Sequence, residues 1–207
     1  MKFLNYSIIA LLTTSSAYSA TLFDYGPTTA QTGFTQINTT TGIGTSDGIS
    51  ISNNGDGLEF RDRNDQSKIS NNAPTLVDDS QYHLLEDIAF ENDATSIVFT
   101  LTGLTAFTEY AVVGYGYDAD AANNTAVNDW TTNGGTVTHS WTAADFTTAR
   151  FEMANLTADF KGEATITGAG SAIIIWNGFE IAAVPEPSSA ALLGLGGLAL
   201  MLRRRRD

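Results

Sequence analysis

Two histidines, no cysteine and a crowd of carboxylates set the chemistry this 207-residue chain can attempt. His83 and His139 are the only imidazoles. Neither lies in a metal-binding helix motif or near a Gly-x-Ser-x-Gly elbow, so each reads as an ordinary strand or surface residue rather than a general base. The lack of cysteine rules out disulfides, thiolate metal sites and a thiol nucleophile. Acid pairs that cleave glycosidic bonds meet in space without a fixed sequence spacing, so the carboxylates neither establish nor exclude that reaction. No catalytic signature stands out, and no catalytic residue is expected.

Two further groups of residues suggest binding. Trp130 and Trp141 flank a polar stretch, and Tyr115 and Tyr117 end a strand beside the Asp118 loop; flat rings with polar tips suit the C–H faces of sugars. The competing reading is core packing, which prevails for Trp176 within the doubly apolar run Ile173–Trp176 and leaves Trp130 open. Asp56 in Asn53–Gly57, with Asp118 and Asp120, offers oxygen ligands of the kind Ca²⁺ takes. Against calcium, the first loop lacks an acid at its twelfth position, where Arg63 stands, and Asn-Gly or Asp-Gly pairs are ordinary turn chemistry. No other cofactor is expected.

The C-terminal residues carry the most specific pattern. Val184-Pro185-Glu186-Pro187 leads into Ser188–Leu202, uncharged and largely apolar, and then into Arg203, Arg204, Arg205 and Arg206. Each proline fixes φ and removes an N–H donor, so Val184–Pro187 should be extended and open to a protease. Helix begins only after Pro187, with Ser188 and Ser189 as cap residues. Fifteen residues of helix rise about 22 Å against a hydrocarbon core of about 30 Å. Snorkelling arginines and local thinning close that gap. At about 2.5–3.5 kcal/mol per arginine at mid-bilayer, four arginines stop transfer and stay cytoplasmic. The alternative is a buried amphipathic helix with a solvated basic end.

This tripartite tail resembles the PEP-CTERM sorting signal of exported bacterial proteins. The resemblance covers residues 184–207. It implies a precursor held in the bacterial inner membrane, cleaved near Pro185-Glu186-Pro187 by the membrane protease exosortase, then released or attached at the cell surface. It also implies that the nucleophile belongs to the protease, with this chain as substrate.

At the other end, Lys2 precedes the apolar stretch Ile8–Leu12 and small or polar residues to Ala20, which reads as a signal peptide over residues 1–19 cleaved after Ser19. Without Lys2, Arg203–Arg206 and Asp207, Lys+Arg falls from 10 to 5 and Asp+Glu from 23 to 22, a net charge near −17. Such a surface disfavours nucleic acid and anionic lipid as partners.

Residues 20–183 form one domain of a size that holds a single core without disulfides. Thr, Gly, Asn, Ala and aromatics dominate it, the composition of many short strands. Strands are expected at Thr21–Tyr25, Phe34–Asn38, Gly48–Ser52, Gly57–Arg61, Leu84–Phe90, Ser96–Leu101, Thr108–Tyr117, Thr136–Trp141, Ala149–Met153, Gly162–Thr167 and Ala172–Ile181. A loop is expected at Asp118–Asn128 and one helical turn at Ala143–Phe146. The class is all-β, a two-layer antiparallel sandwich of jelly-roll type, with an N-terminal signal helix and a C-terminal transmembrane helix. Phe99–Leu104 followed by Glu109–Val112 resembles a pattern of bacterial extracellular sandwiches. Trp176–Ile181 is similar to the closing strand of jelly-roll modules that often bind carbohydrate.

The resulting expectation is a non-enzymatic exported protein of the extracellular polysaccharide matrix. The alternatives are a carbohydrate-binding module and, third, a polysaccharide-cleaving enzyme.

Overall fold

The computed structural model describes residues 20–25, 33–38, 42–53, 59–62, 87–91, 96–118, 125–143, 146–170 and 174–185. The expected signal helix and transmembrane helix, His83, Asp56, Asp120, Glu186, Pro187 and Arg203–Arg206 lie outside the described residues. No helix among the described residues is long and apolar enough to cross a membrane.

Fifteen strands are described: β1 Thr21–Asp24, β2 Thr35–Gln36, β3 Ile43–Ser46, β4 Ile49–Asn53, β5 Glu59–Asp62, β6 Asp87–Glu91, β7 Ser96–Thr102, β8 Glu109–Tyr115, β9 Thr125–Thr132, β10 Gly135–Thr142, β11 Arg150–Glu152, β12 Leu156–Thr157, β13 Ala164–Gly170, β14 Ile174–Trp176 and β15 Gly178–Ala183. One sheet runs β11-β8-β15-β1-β2, with β12 also on β8; the other runs β10-β9-β13-β7-β4-β3; β14-β6-β5 form a small third sheet. Every pairing is antiparallel except the short β1–β2 contact. Taken without β2 to β6, the chain passes β1, β7, β8, β9 alternately between the two large sheets, makes the β9–β10 hairpin, and then alternates again through β11, β13 and β15. The resulting orders, β1-β15-β8-β11 against β7-β13-β9-β10, are those of a jelly roll, which limits open edges by doubling the sheet.

Alternation explains which faces meet. In β7, Ile97, Phe99 and Leu101 are buried while Ser96, Val98, Thr100 and Thr102 are not. In β8 the inward residues are Tyr110, Val112 and Gly114, the narrow face of that strand. A Cβ on Gly114 would fall 2.4 Å from Phe151 Cζ and 2.7 Å from Met153 Cε, so the missing side chain is the space those two fill. The main core joins the inner faces of both large sheets around Tyr25, Phe99, Trp130, Trp176 and Phe179. Ring centroids lie 5.0 Å apart for Phe99–Trp176, 4.4 Å for Trp130–Trp176 and 5.5 Å for Trp176–Phe179. Each such ring removes enough apolar surface to contribute about 2–3 kcal/mol, and each well-placed aromatic pair adds about 0.5–1.5 kcal/mol. A smaller core holds Phe90, Tyr115, Tyr117, Trp141 and Ile175.

Three expectations about the elements are corrected. The loop expected at Asp118–Asn128 gives way at Thr125 to β9, whose inward residues Asn128, Trp130 and Thr132 disguise a buried strand as a polar one. The single strand expected over Ala172–Ile181 breaks at Asn177. This fully buried residue donates its N–H to Tyr115 O, accepts from Tyr25 N through its carbonyl, and accepts from Tyr117 N through Oδ1, at 2.8, 2.8 and 2.6 Å. With its backbone so committed, Asn177 hands the chain from the small sheet to the large one. The helical turn expected at Ala143–Phe146 is a 3-10 turn at Phe146–Thr148. Strands β3 and β12, neither singled out from the sequence, are short.

Candidate functional site

The chain leaves the sandwich through β15, which is held on both sides: Ala183 pairs with Tyr110 of β8, and Ile181 with Thr21 of β1. One more bond continues the ladder, Val184 N–H to Glu109 O at 2.8 Å. Pro185 has no N–H with which to extend it, and it is exposed. The Val-Pro-Glu-Pro segment therefore starts where the folded ladder stops, with no intervening linker.

The four aromatic residues considered for sugar contact are all buried, and for Trp130, where exposure and packing were both open, the structure shows packing. Trp130 is fully covered, because Gly168 on the paired strand leaves room for its ring: a Cβ there would lie 2.4 Å from Trp130 Cζ3. Trp141 meets Tyr117 edge-on at 6.3 Å, and the Tyr117 hydroxyl donates to Ala143 O at 2.8 Å. Tyr115 donates to Glu180 Oε1 and touches Phe34. Burial first, then the bonded Glu180 carboxylate, hold its phenol well above the usual range, against an opposing effect of Arg150. None of these rings presents a face to a surface ligand. Trp176 is in the core, as its doubly apolar strand implies.

Asp118 is buried. Among the described residues no group of three or more His, Cys, Asp or Glu side chains could hold a metal ion. His139 is packed inside, its ring stacked on Phe151 at 3.9 Å and 14°, with Nε2 2.7 Å from Thr148 O. The carbonyl can only accept, so Nε2 carries the hydrogen and Nδ1 is left as a buried acceptor with no partner among the described residues. Burial lowers the pKa of this imidazole from its ordinary value, with the Thr148 bond opposing. A ring so enclosed cannot serve as a base toward an external substrate.

What the sequence reading missed lies at the end of the sandwich where β15 ends. Loops 103–108 and 158–163 are stitched together there by Leu104 N to Gly162 O, Phe107 N to Ala158 O and Ala158 N to Thr108 O, at 3.1, 3.1 and 3.0 Å. Each loop carries an exposed phenylalanine, Phe107 at 73% and Phe160 at 70%. Beside them an open pocket of ≈ 370 Å³ is lined by Thr100, Asn133, Thr157, Asp159, Glu163 and Thr165, among others. Asn133 Nδ2 donates to Thr157 O and its Oδ1 accepts from Thr157 N, at 2.7 and 2.9 Å, which fixes the amide. Asp159 Oδ1 accepts from the backbone N–H groups of Lys161 and Glu163, both at 2.8 Å. Hydroxyls, a fixed amide and carboxylates are groups that hydrogen-bond polyols. The signal available in sequence was an aromatic residue inside a turn closed by glycine, Gly103 before Phe107 and Gly162 after Phe160.

The class defined by these features is an all-β jelly-roll sandwich whose last ladder bond is followed directly by the Pro-Glu-Pro sequence. The chain's C-terminal part matches the PEP-CTERM protein-sorting motif over residues 183–206, which marks export and exosortase processing of a membrane-held precursor. No curated protein matches the chain. Among solved structures, a ruminal GH26 endo-β-1,4-mannanase is similar at 14% identity and a TM-score of 0.32, over 49% of this chain and 20% of that one. The chain thus spans about a fifth of that mannanase chain. TmCBM61 in complex with β-1,4-galactotriose is similar at 13% identity and a TM-score of 0.27, over 67% of this chain and 90% of that one. Likenesses at these scores carry no argument about ligand or activity.

Proposed function

We propose that the protein is a non-enzymatic component of the extracellular polysaccharide matrix, delivered as an exosortase substrate and left at the cell surface or in the medium after cleavage. The observation that carries this reading is the junction at Val184–Pro185, where a motif for sorting and processing begins at the last bond of a folded sheet. The packed state of the chemistry-bearing residues supports a structural role, since His139, Tyr115, Tyr117, Trp130 and Trp141 are all engaged inside the fold. Mass spectrometry of the mature C-terminus tests the reading. A terminus at or near Pro185–Pro187, free or carrying an added group, is expected; an intact Arg203–Asp207 end on the extracellular protein would refute it.

A carbohydrate-binding role is the second reading, and the tip pocket favours it over the aromatic residues first considered. Thr100, Thr165 and Asn133 offer donors and acceptors to a neutral sugar, while Asp159 and Glu163 repel uronic acids. Retention on the producing organism's own polysaccharide, lost in an Asn133→Ala variant, is the expected result. No retention on any glycan would leave the structural reading alone.

A further inference from the structure

The two exposed phenylalanines share the end of the sandwich from which the tail departs. Phe107 stands two residues before Glu109, whose carbonyl receives the final N–H of the ladder from Val184. Thr21, the first residue of β1, pairs with Ile181 at this same end. Only Pro185, Glu186 and Pro187 separate Val184 from the apolar segment starting at Ser188. Four Cα steps cover at most about 14 Å, so a precursor held by that segment keeps this end of the sandwich close to the lipid headgroups.

The tip is built for display. Phe107 has φ +60°, in the left-handed region that bulky residues rarely occupy. Its N–H is tied to Ala158 O, and Thr105 N–H donates to the Tyr110 hydroxyl at 2.8 Å, so the loop holds the residue in that conformation with its ring in solvent. Holding a phenylalanine in a disfavoured backbone state while exposing it gains nothing for the isolated fold. Next to Phe160, Lys161 places its ammonium 5.7 Å from the ring centroid. Lys161 is one of only five lysines and arginines between positions 20 and 183. Phenylalanine with lysine beside it is a combination found on surfaces that lie in the bilayer interface, the ring at the boundary of headgroups and acyl chains and the ammonium toward phosphate.

From this we infer that Phe107 and Phe160 form a lipid-interface contact that seats the precursor's sandwich on the membrane, presenting the Pro185–Pro187 segment at a set height before cleavage. The inference rests on the tethered-precursor reading and is released with it, because cutting the tail leaves two rings that contribute too little to hold the domain on the membrane alone.

The natural chain has no cysteine, so single labels are clean. Full-length Phe107→Cys, Phe160→Cys, Val127→Cys and Leu198→Cys variants, each carrying an environment-sensitive fluorophore, are reconstituted into phosphatidylcholine vesicles with and without brominated lipid. Val127 is half-exposed near the start of β9, the opposite end of the sandwich. Expected are a blue shift and bromine-dependent loss of emission at 107 and 160, none at 127, and strong loss at 198. Quenching at 198 without quenching at 107 and 160 would overturn the seating and leave the tether standing. An unquenched label at 198 would overturn the tether and the seating with it. Signals at 107 and 160 that depend on protein density, or that arise only when the protease is added, would assign the surface to a second copy or to exosortase and overturn a lipid contact. Unfolding of each labelled variant is checked by tryptophan fluorescence, since both rings are largely exposed and their replacement should leave the fold intact.

Discussion

His139 should make this sandwich acid-labile in a way a single substitution removes. Its imidazole is buried against Phe151, spends its one hydrogen on Thr148 O and has a lowered pKa. In the unfolded chain the same ring has a pKa of about 6.5. Below that value the unfolded state takes up a proton that the folded state resists, so stability falls as pH falls. The loss is at most about 1.4 kcal/mol per pH unit, beginning near pH 6.5 and levelling once the lowered folded-state pKa is passed. Above about pH 7 the residue contributes no slope. The test is urea unfolding of wild type and His139→Gln, followed by tryptophan fluorescence at pH 8, 7, 6 and 5 and constant ionic strength. Glutamine keeps an N–H for Thr148 O but does not titrate, and His83 with all carboxylates is common to both proteins. The stability difference between the two should be constant from pH 8 to 7 and shift against the wild type at pH 6 and 5. Parallel curves across the whole range would show that the ring is hydrated or partnered when charged, and the argument from burial would fail.

Gly168→Ala puts a Cβ 2.4 Å from the Trp130 ring, a rigid neighbour on the paired strand, and should cost about 1–3 kcal/mol by denaturant unfolding; a neutral result would mean that the Trp130 ring can shift freely there. Trp176→Ala should cost about 3–5 kcal/mol as a core deletion, whereas Trp176→Phe should cost much less, because the indole N–H has no partner among the described residues; equal losses would point to a hidden hydrogen bond. Phe107→Gly relieves a left-handed φ at the expense of a freer unfolded chain, so the melting temperature should hold or rise by a few degrees; a clear drop would mean that the ring is packed rather than displayed. Changing Arg203–Arg206 to serine removes the stop-transfer charge, and membrane retention of the precursor should be lost on fractionation; unchanged fractionation would refute the charge argument.

Patterns that depend on covalent chemistry or near neighbours were open to reading. Two prolines around Glu186 stop the backbone from pairing wherever they occur, four arginines resist the bilayer in any fold, and alternation over Ser96–Leu101 and Thr136–Trp141 makes strands irrespective of partner. Composition was likewise enough for an all-β sandwich. The strand at Thr125–Thr132 and the break at Asn177 were not legible, because each depends on what lies across the sheet: Gly168 makes room for Trp130, and Tyr25, Tyr115 and Tyr117 engage Asn177. Tertiary packing alone decided that the four rings considered for sugar binding are covered, Trp130 between the two large sheets and Tyr115, Tyr117 and Trp141 in the smaller core, since an aromatic residue buries itself wherever its neighbours leave space. Packing likewise turned two unremarkable turn residues, Phe107 and Phe160, outward at the end where the chain exits. Local sequence thus determined where the protein is sent, through charges and prolines that act without a partner. Which of its surfaces can meet anything there was decided by contacts between residues tens of positions apart.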